Sequence, residues 1–122
     1  MKRIAVVDDE PDITNVLKKG LERHGFSVDT FNDPQAALAN FQPMYYDLII
    51  IDIRMPRING FDLYRELKER DTGVKVCFLT AFQIYYEEFR MMFPTIDVKA
   101  FIRKPVSISN LVNQINAAIA SK

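Results

Sequence analysis

Three acids, a hydroxyl and an ammonium stand where short apolar runs of this chain end. Ile4-Ala5-Val6-Val7 leads into Asp8-Asp9, Leu48-Ile49-Ile50-Ile51 into Asp52, the run from Val74 to Leu79 into Thr80, and Ala100-Phe101-Ile102-Arg103 into Lys104. Carboxylates brought together repel, and some take up protons unless a cation joins them. A hard divalent ion with oxygen ligands meets that need; Mg²⁺ takes one or two carboxylates with waters and a phosphate. An ammonium and a hydroxyl on the same rim suit phosphoryl oxygens. The set is equipment for phosphoryl transfer to a carboxylate, where positioning and charge neutralisation do most of the catalysis.

Taken singly, each residue has a plain structural explanation. Asp8 or Asp9 caps a helix, Asp52 starts a turn, Thr80 caps another helix, and Lys104 is a solvated strand end. Their origin in four separate run ends is what favours a shared site, and it makes the elements between them decisive.

Those elements alternate. Ile13, Val16, Leu17 and Leu21 recur at helical spacing, so a first helix is expected from Pro11 to about His24, stopped by Gly25. Phe26 to Phe31 reads as a second strand. Asn32-Asp33-Pro34 signals a second helix, with Ala37, Leu38 and Phe41 on one face and Pro43 closing it. The unbroken run before Asp52 fits a strand buried on both faces. Gly60 to Arg70 reads as a third helix with Phe61, Tyr64 and Leu67 inward. Asp71-Thr72-Gly73 is a turn before the fourth strand. Gln83 to Phe93 reads as a fourth helix ended by Pro94, and Ser107 leads a last helix through Leu111, Val112, Ile115 and Ile119. A βα unit repeated five times predicts an α/β fold of three layers, a doubly wound parallel sheet with helices on both faces. Ligands of such sheets bind beyond the carboxyl ends of the strands, where all five residues fall.

Composition bounds the rest. The 122 residues suit one domain, with 48% apolar and 26% charged residues. Sixteen basic and sixteen acidic residues give zero net charge, which argues against direct nucleic-acid binding. The single cysteine, Cys77, is expected as a small buried hydrophobe in a reducing compartment. Met1-Lys2-Arg3 precedes only four apolar residues, too few for a signal-peptide core or a membrane span. His24, the only histidine, belongs at the far end of the first helix from the site. Glu10 and Asp12 are first-turn acids within reach of a metal-bound water. Tyr45 and Tyr46 are loop or core aromatics.

On Asp8-Asp9, Asp52-Ile53-Arg54-Met55-Pro56 with Gly60 after it, Thr80-Ala81 and Lys104-Pro105, the chain resembles the receiver domains of two-component response regulators, the CheY-like family, over essentially its whole length. The resemblance implies the flavodoxin/CheY-like strand order 2-1-3-4-5 and a single receiver domain, residues 1–122, with no output domain following. It implies that Asp52 is the phosphoacceptor, supplied by a sensor histidine kinase, a phosphotransfer protein or a small phosphodonor. Asp9 would bind Mg²⁺ (or Mn²⁺) directly, Asp8 mainly through water, with Asp52 and the backbone carbonyl of Arg54 completing the protein's ligands. Thr80 would hydrogen-bond the new phosphoryl group, Lys104 would pair with it, and Phe101 matches the rotating aromatic residue of the switch. The Lys104-Pro105 bond would be cis. Ala81 and Pro105 adjoin the site; Arg54 and Phe82 would flank its mouth, with Phe82 shielding the acyl phosphate from water. The face formed by the fourth helix, fifth strand and fifth helix would change shape and meet a downstream effector or a second copy. Such a protein is a stoichiometric phosphoacceptor rather than an enzyme, and cytoplasmic.

Two departures concern the fourth helix. Tyr85, Tyr86, Phe89, Met91, Met92 and Phe93 exceed what one buried face requires, and Pro94-Thr95-Ile96-Asp97-Val98 replaces the usual glycine-alanine turn before the fifth strand. Three other functions compete with this one. A haloacid-dehalogenase-type phosphohydrolase needs a second acid where Arg54 stands. A flavodoxin-like redox domain needs a phosphate-cradling first loop, which Asp8-Asp9-Glu10 would repel. A phosphorylation-independent interaction module of receiver fold remains the alternative.

Overall fold

The computed structural model describes residues 1–55, 57–80, 91 and 100–121. Its elements are β1 (Arg3–Val7), α1 (Pro11–Glu22), β2 (Ser27–Phe31), α2 (Pro34–Ala39), β3 (Leu48–Asp52), α3 (Gly60–Arg70), β4 (Val76–Thr80), β5 (Ala100–Arg103) and α4 (Ile108–Ala120). The strands form one parallel sheet in the order β2-β1-β3-β4-β5, as expected. The predicted helix over 83–93 apart from Met91, its stop at Pro94, and Pro56, Ala81 and Phe82 lie outside the described residues. Among the described residues, no helix is long and apolar enough to cross a membrane.

Alternation along each strand divides the core into two sides. Ala5, Val7, Ile49, Ile51, Val76 and Phe78 pack with Phe61, Leu63, Tyr64 and Leu67 of α3. Ile4, Val6, Leu48, Ile50, Cys77, Leu79 and Ile102 pack with Leu17 and Leu21 of α1 and Leu111 and Ile115 of α4. Every residue of β3 is buried, which is why its apolar run is unbroken. Cys77 is fully buried, and burial pushes its thiol up to about 12.

The helix boundaries follow local chemistry. Pro11 and Pro34 sit at the starts of α1 and α2. Asp33 caps α2 by accepting from the Gln35 N–H at 3.1 Å, Asn59 caps α3 through the Asp62 N–H at 2.9 Å, and Ser107 caps α4 through the Asn110 N–H at 3.2 Å. At the end of α1, His24 Nδ1 lies 3.0 Å from the Gly20 carbonyl and Gly25 has φ +90. Lys75 reaches across from the start of β4 and donates to the carbonyls of Ile119 and Ser121 at 2.6 and 2.8 Å, closing the C-terminal end of α4.

Four expectations shift. Helix α1 ends at Glu22, before His24. Helix α2 stops at Ala39, because Asn40 leaves helical geometry (φ −104, ψ 2) and its amide bonds the Ala36 carbonyl at 2.8 Å; Phe41 packs on the core from the loop. Strand β4 starts at Val76, since the Val74 N–H closes the turn onto the Asp71 carbonyl. Val16 is 62% exposed, and Thr14, at 1%, occupies the inward face instead.

Gly60 is required by proximity. Its N–H donates to the Ile53 carbonyl at 2.8 Å, and a Cβ there would lie 2.5 Å from the Asp52 carbonyl oxygen and 2.8 Å from Ile53 Cα. Both are backbone atoms of the turn leaving β3, so they cannot swing away. Gly60→Ala is expected to destabilise the fold by about 2 kcal/mol, typical of overpacking a tight contact, as measured by urea unfolding.

Candidate functional site

The register of the sheet assembles the site before any side chain is considered. Val7 of β1 pairs with Ile51 of β3, Asp52 with Leu79 of β4, and Thr80 with Arg103 of β5. Asp8 is therefore level with Asp52, and Lys104 follows one step beyond Thr80. The Lys104 N–H donates to the Thr80 carbonyl at 2.7 Å, extending the ladder past the end of β5. Parity then sorts the side chains. Asp8, Asp52 and Lys104 have the parity of Val6, Ile50 and Ile102, on the α1/α4 side; Thr80 has the parity of Phe78, on the α3 side.

On the first side lies an ionic cluster. Lys104 Nζ is 3.0 Å from Asp8 Oδ2, 3.5 Å from Asp52 Oδ1 and 3.7 Å from Glu10 Oε1. Asp8 is fully buried and Asp52 is 6% exposed. Burial, then the charge of Asp8, pushes the Asp52 carboxyl from 3.8 up to about 6, against the pull of Lys104 and with a small push from Asp9. For Lys104 burial works downward, but the carboxylates of Asp8, Asp52 and Glu10 outweigh it and raise the ammonium above its ordinary value. The ammonium is thus fixed as a cation, whereas Asp52 is held nearer neutrality than an ordinary aspartate.

The acids of the β1–α1 loop extend the cluster. Asp8, Asp9 and Glu10 can each offer an oxygen within 4.8 Å of the others. Asp8 Oδ1 accepts the Glu10 N–H at 3.0 Å, while the buried Asp8 Oδ2 is ion-paired with Lys104 Nζ at 3.0 Å. One ammonium does not balance this many carboxylates, and an all-oxygen donor set suits a hard divalent cation. The residues present therefore fit Mg²⁺.

On the second side, Thr80 is 5% exposed. Phe101 is half-buried, its ring 5.4 Å from that of Phe78, which also contacts Phe61 at 5.1 Å and Tyr64 at 5.9 Å. The expected residues thus divide into an ionic trio and an aromatic-backed hydroxyl. Arg54 is exposed beyond Asp52, and the Lys104-Pro105 bond is cis.

Two bracing residues escaped the sequence reading. The Asn32 amide donates to the Asp8 carbonyl at 2.8 Å and to Thr14 Oγ1 at 2.9 Å, tying β2, the acidic loop and α1 together. The available signal was local: Asp33 alone caps α2, which leaves the Asn32 amide free of a turn role. Asp8 and Asp9 do not cap α1; that position is held by Glu10, without a side-chain cap bond.

Known proteins carry the same pattern. Residues 4–116 match the response regulator receiver domain family. CpdR of Brucella abortus, a response regulator receiver protein, is 33% identical over 115 residues, covering 94% of each chain. TrcR of Mycobacterium tuberculosis, a transcriptional regulatory protein, is 31% identical over 96% of this chain, which spans only 45% of it. Among solved structures, the response regulator TrrA of Thermotoga maritima, in complex with Mg²⁺-BeF, superposes with a TM-score of 0.82 at 32% identity, covering 95% of this chain and 97% of that one. The chain belongs to the response regulator receiver domain family, the CheY-like phosphoacceptor domains of two-component signalling.

Proposed function

We propose that Asp52 accepts a phosphoryl group from a histidine kinase or phosphotransfer protein in a Mg²⁺-dependent reaction, and that the modified domain signals through a protein surface. The observation that carries this reading is the Asp8–Lys104–Asp52 cluster, a nucleophile-capable carboxylate held beside a fixed cation at the carboxyl end of the sheet. Asp8 and Asp9, with Asp52 and the Arg54 carbonyl, would hold Mg²⁺. When bound, the ion neutralises charge on the carboxylates and on the phosphoryl oxygens. An Asp52 oxygen attacks phosphorus in line with the leaving group, and Lys104 pairs with the phosphoryl oxygens. The complex of TrrA with Mg²⁺-BeF supports this assignment by analogy.

The switch follows from the two sides of the sheet. New negative charge at Asp52 attracts the Thr80 hydroxyl, and Thr80 shares its side with Phe78 and Phe101. Movement of Thr80 vacates space that Phe101 fills, which reshapes the surface around β5 and α4. Phosphorylation shifts this equilibrium only by its differential interaction with the two states. Ala81 and Phe82 would adjoin the phosphoryl group, with Phe82 and Arg54 controlling access of water. A cleft of about 530 Å³ lined by Ile13, Val16, Leu17, Lys104, Pro105 and Val106 opens beside Lys104, which supports a protein donor and accounts for the outward Val16. The zero net charge supports action through proteins rather than nucleic acid, with a downstream effector or a second copy as the recipient, and the single buried cysteine fits the reducing cytoplasm.

Incubation with acetyl phosphate and Mg²⁺ is expected to add one phosphoryl mass, lost with EDTA and absent in Asp52→Asn. No adduct from any donor would instead favour the phosphorylation-independent interaction module. A second expectation concerns stability without metal. The folded-state pKa of Asp52 is raised, so between about pH 4 and 6 the folded chain binds more protons than the unfolded one. Its stability contribution therefore falls as pH rises through that window. Asp52→Asn is expected to raise the metal-free melting temperature at pH 7.5 by several degrees, corresponding to about 1–3 kcal/mol. The gain should vanish near pH 4, and Mg²⁺ should stabilise the parent more than the variant.

A further inference from the structure

We propose that Glu10 is a positioning residue for Lys104, and that its charge sets how readily the site admits an anionic phosphodonor. The second half rests on the phosphoacceptor reading above. Of the three carboxylates around Lys104 Nζ, two are buried, whereas the Glu10 side chain, 3.7 Å away, is 62% exposed. Glu10 is thus the solvent-side end of the cluster. Its backbone is fixed: its N–H donates to Asp8 Oδ1 at 3.0 Å, and its carbonyl accepts from Ile13 and Thr14 at 3.1 and 3.2 Å. Its side chain makes no cap bond to α1, although Glu10 occupies the cap position. The carboxylate is therefore not engaged in the ordinary task of that position and is turned to Lys104 instead.

Two consequences follow. Glu10 draws the ammonium outward, in competition with Asp52 and with any group transferred to it. It also adds negative charge at the mouth of a site that must admit a polyanion. In the transfer from acetyl phosphate, an Asp52 carboxylate oxygen bonds to phosphorus, the bond from phosphorus to the acetyl oxygen breaks, and acetate leaves with the electron pair. The donor arrives as an anion, so a like charge within a Debye length slows its capture. Only the Glu10 end of the pair is exposed, and Lys104 keeps Asp8 and Asp52, so Glu10 can be neutralised without unpairing a buried charge.

Initial rates of phosphorylation by acetyl phosphate, read by intact mass at two Mg²⁺ concentrations, test the idea. Glu10→Gln is expected to be about two- to fivefold faster at low ionic strength. The gain should lie in the apparent KM for donor rather than in the maximal rate, and should fade at high salt. Glu10→Asp keeps the charge at the mouth of the site and should lie nearer the parent rate than Glu10→Gln does. A Glu10→Gln rate that is unchanged, or slower and restored by more Mg²⁺, overturns the proposal, the latter by assigning Glu10 to the cation. Independently, a metal-free double-mutant cycle of Glu10→Gln with Lys104→Gln, read by urea unfolding, should give a favourable, salt-sensitive coupling. Zero coupling overturns the positioning role. A parent that takes no phosphoryl group overturns the donor claim and the phosphoacceptor reading together, while the cycle still decides the pairing.

Discussion

One ammonium among three carboxylates is the interaction on which this structure turns. Lys104 lies within 4 Å of Asp8, Asp52 and Glu10, so its single positive charge leaves the cluster with an excess of negative charge. Two of those acids are buried, where like charges repel far more strongly than in water. Burial first, and then the charge of Asp8, hold the Asp52 pKa above that of an ordinary aspartate. The site is thus strained toward gaining positive charge or losing negative charge. Such an imbalance is a thermodynamic reason for a receiver domain to take up a divalent cation before chemistry.

The scaffold is arranged to keep that cluster from relaxing. Asp52 ends a strand buried along its whole length, so it cannot retreat into solvent without disturbing the core. Gly60 packs directly on the turn that follows. Asn32 and Thr14 brace the acidic loop from the neighbouring strand and helix, and the Thr80 carbonyl fixes the backbone of Lys104. The contacts to Asp8 and Lys104 use their backbones, which leaves those side chains to respond to ligands.

Much of this was legible in the sequence because the strongest signals are local. Short apolar runs, two of them carrying a single basic residue (Lys75, Arg103), end in Asp8, Asp52, Thr80 and Lys104 and predicted the strands. The bounds of α3 and β5 agree with expectation, since the α3 start and the β5 run have sharp edges. What was not legible depended on tertiary geometry. Val16 has the period of the inward face, but α1 is rotated so that Thr14 turns to Asn32. The spacing of Phe41 suggested a longer α2, but the Asn40 side chain ends the helix by bonding back to Ala36. The Glu10–Lys104 pair joins residues 94 positions apart, and no pattern within either segment announces it.

The opposed parity of Asp52 and Thr80 limits how this domain can change over generations. Lengthening or shortening β3 by one residue would turn Asp52 from the α1/α4 side to the α3 side, since a strand's side chains alternate. The same change in β4 would move Thr80 across to the ionic cluster. Length variation compatible with the site is therefore confined to helices and to connections away from the rim, such as the loop between α2 and β3. The strands act as a reading frame for the chemistry.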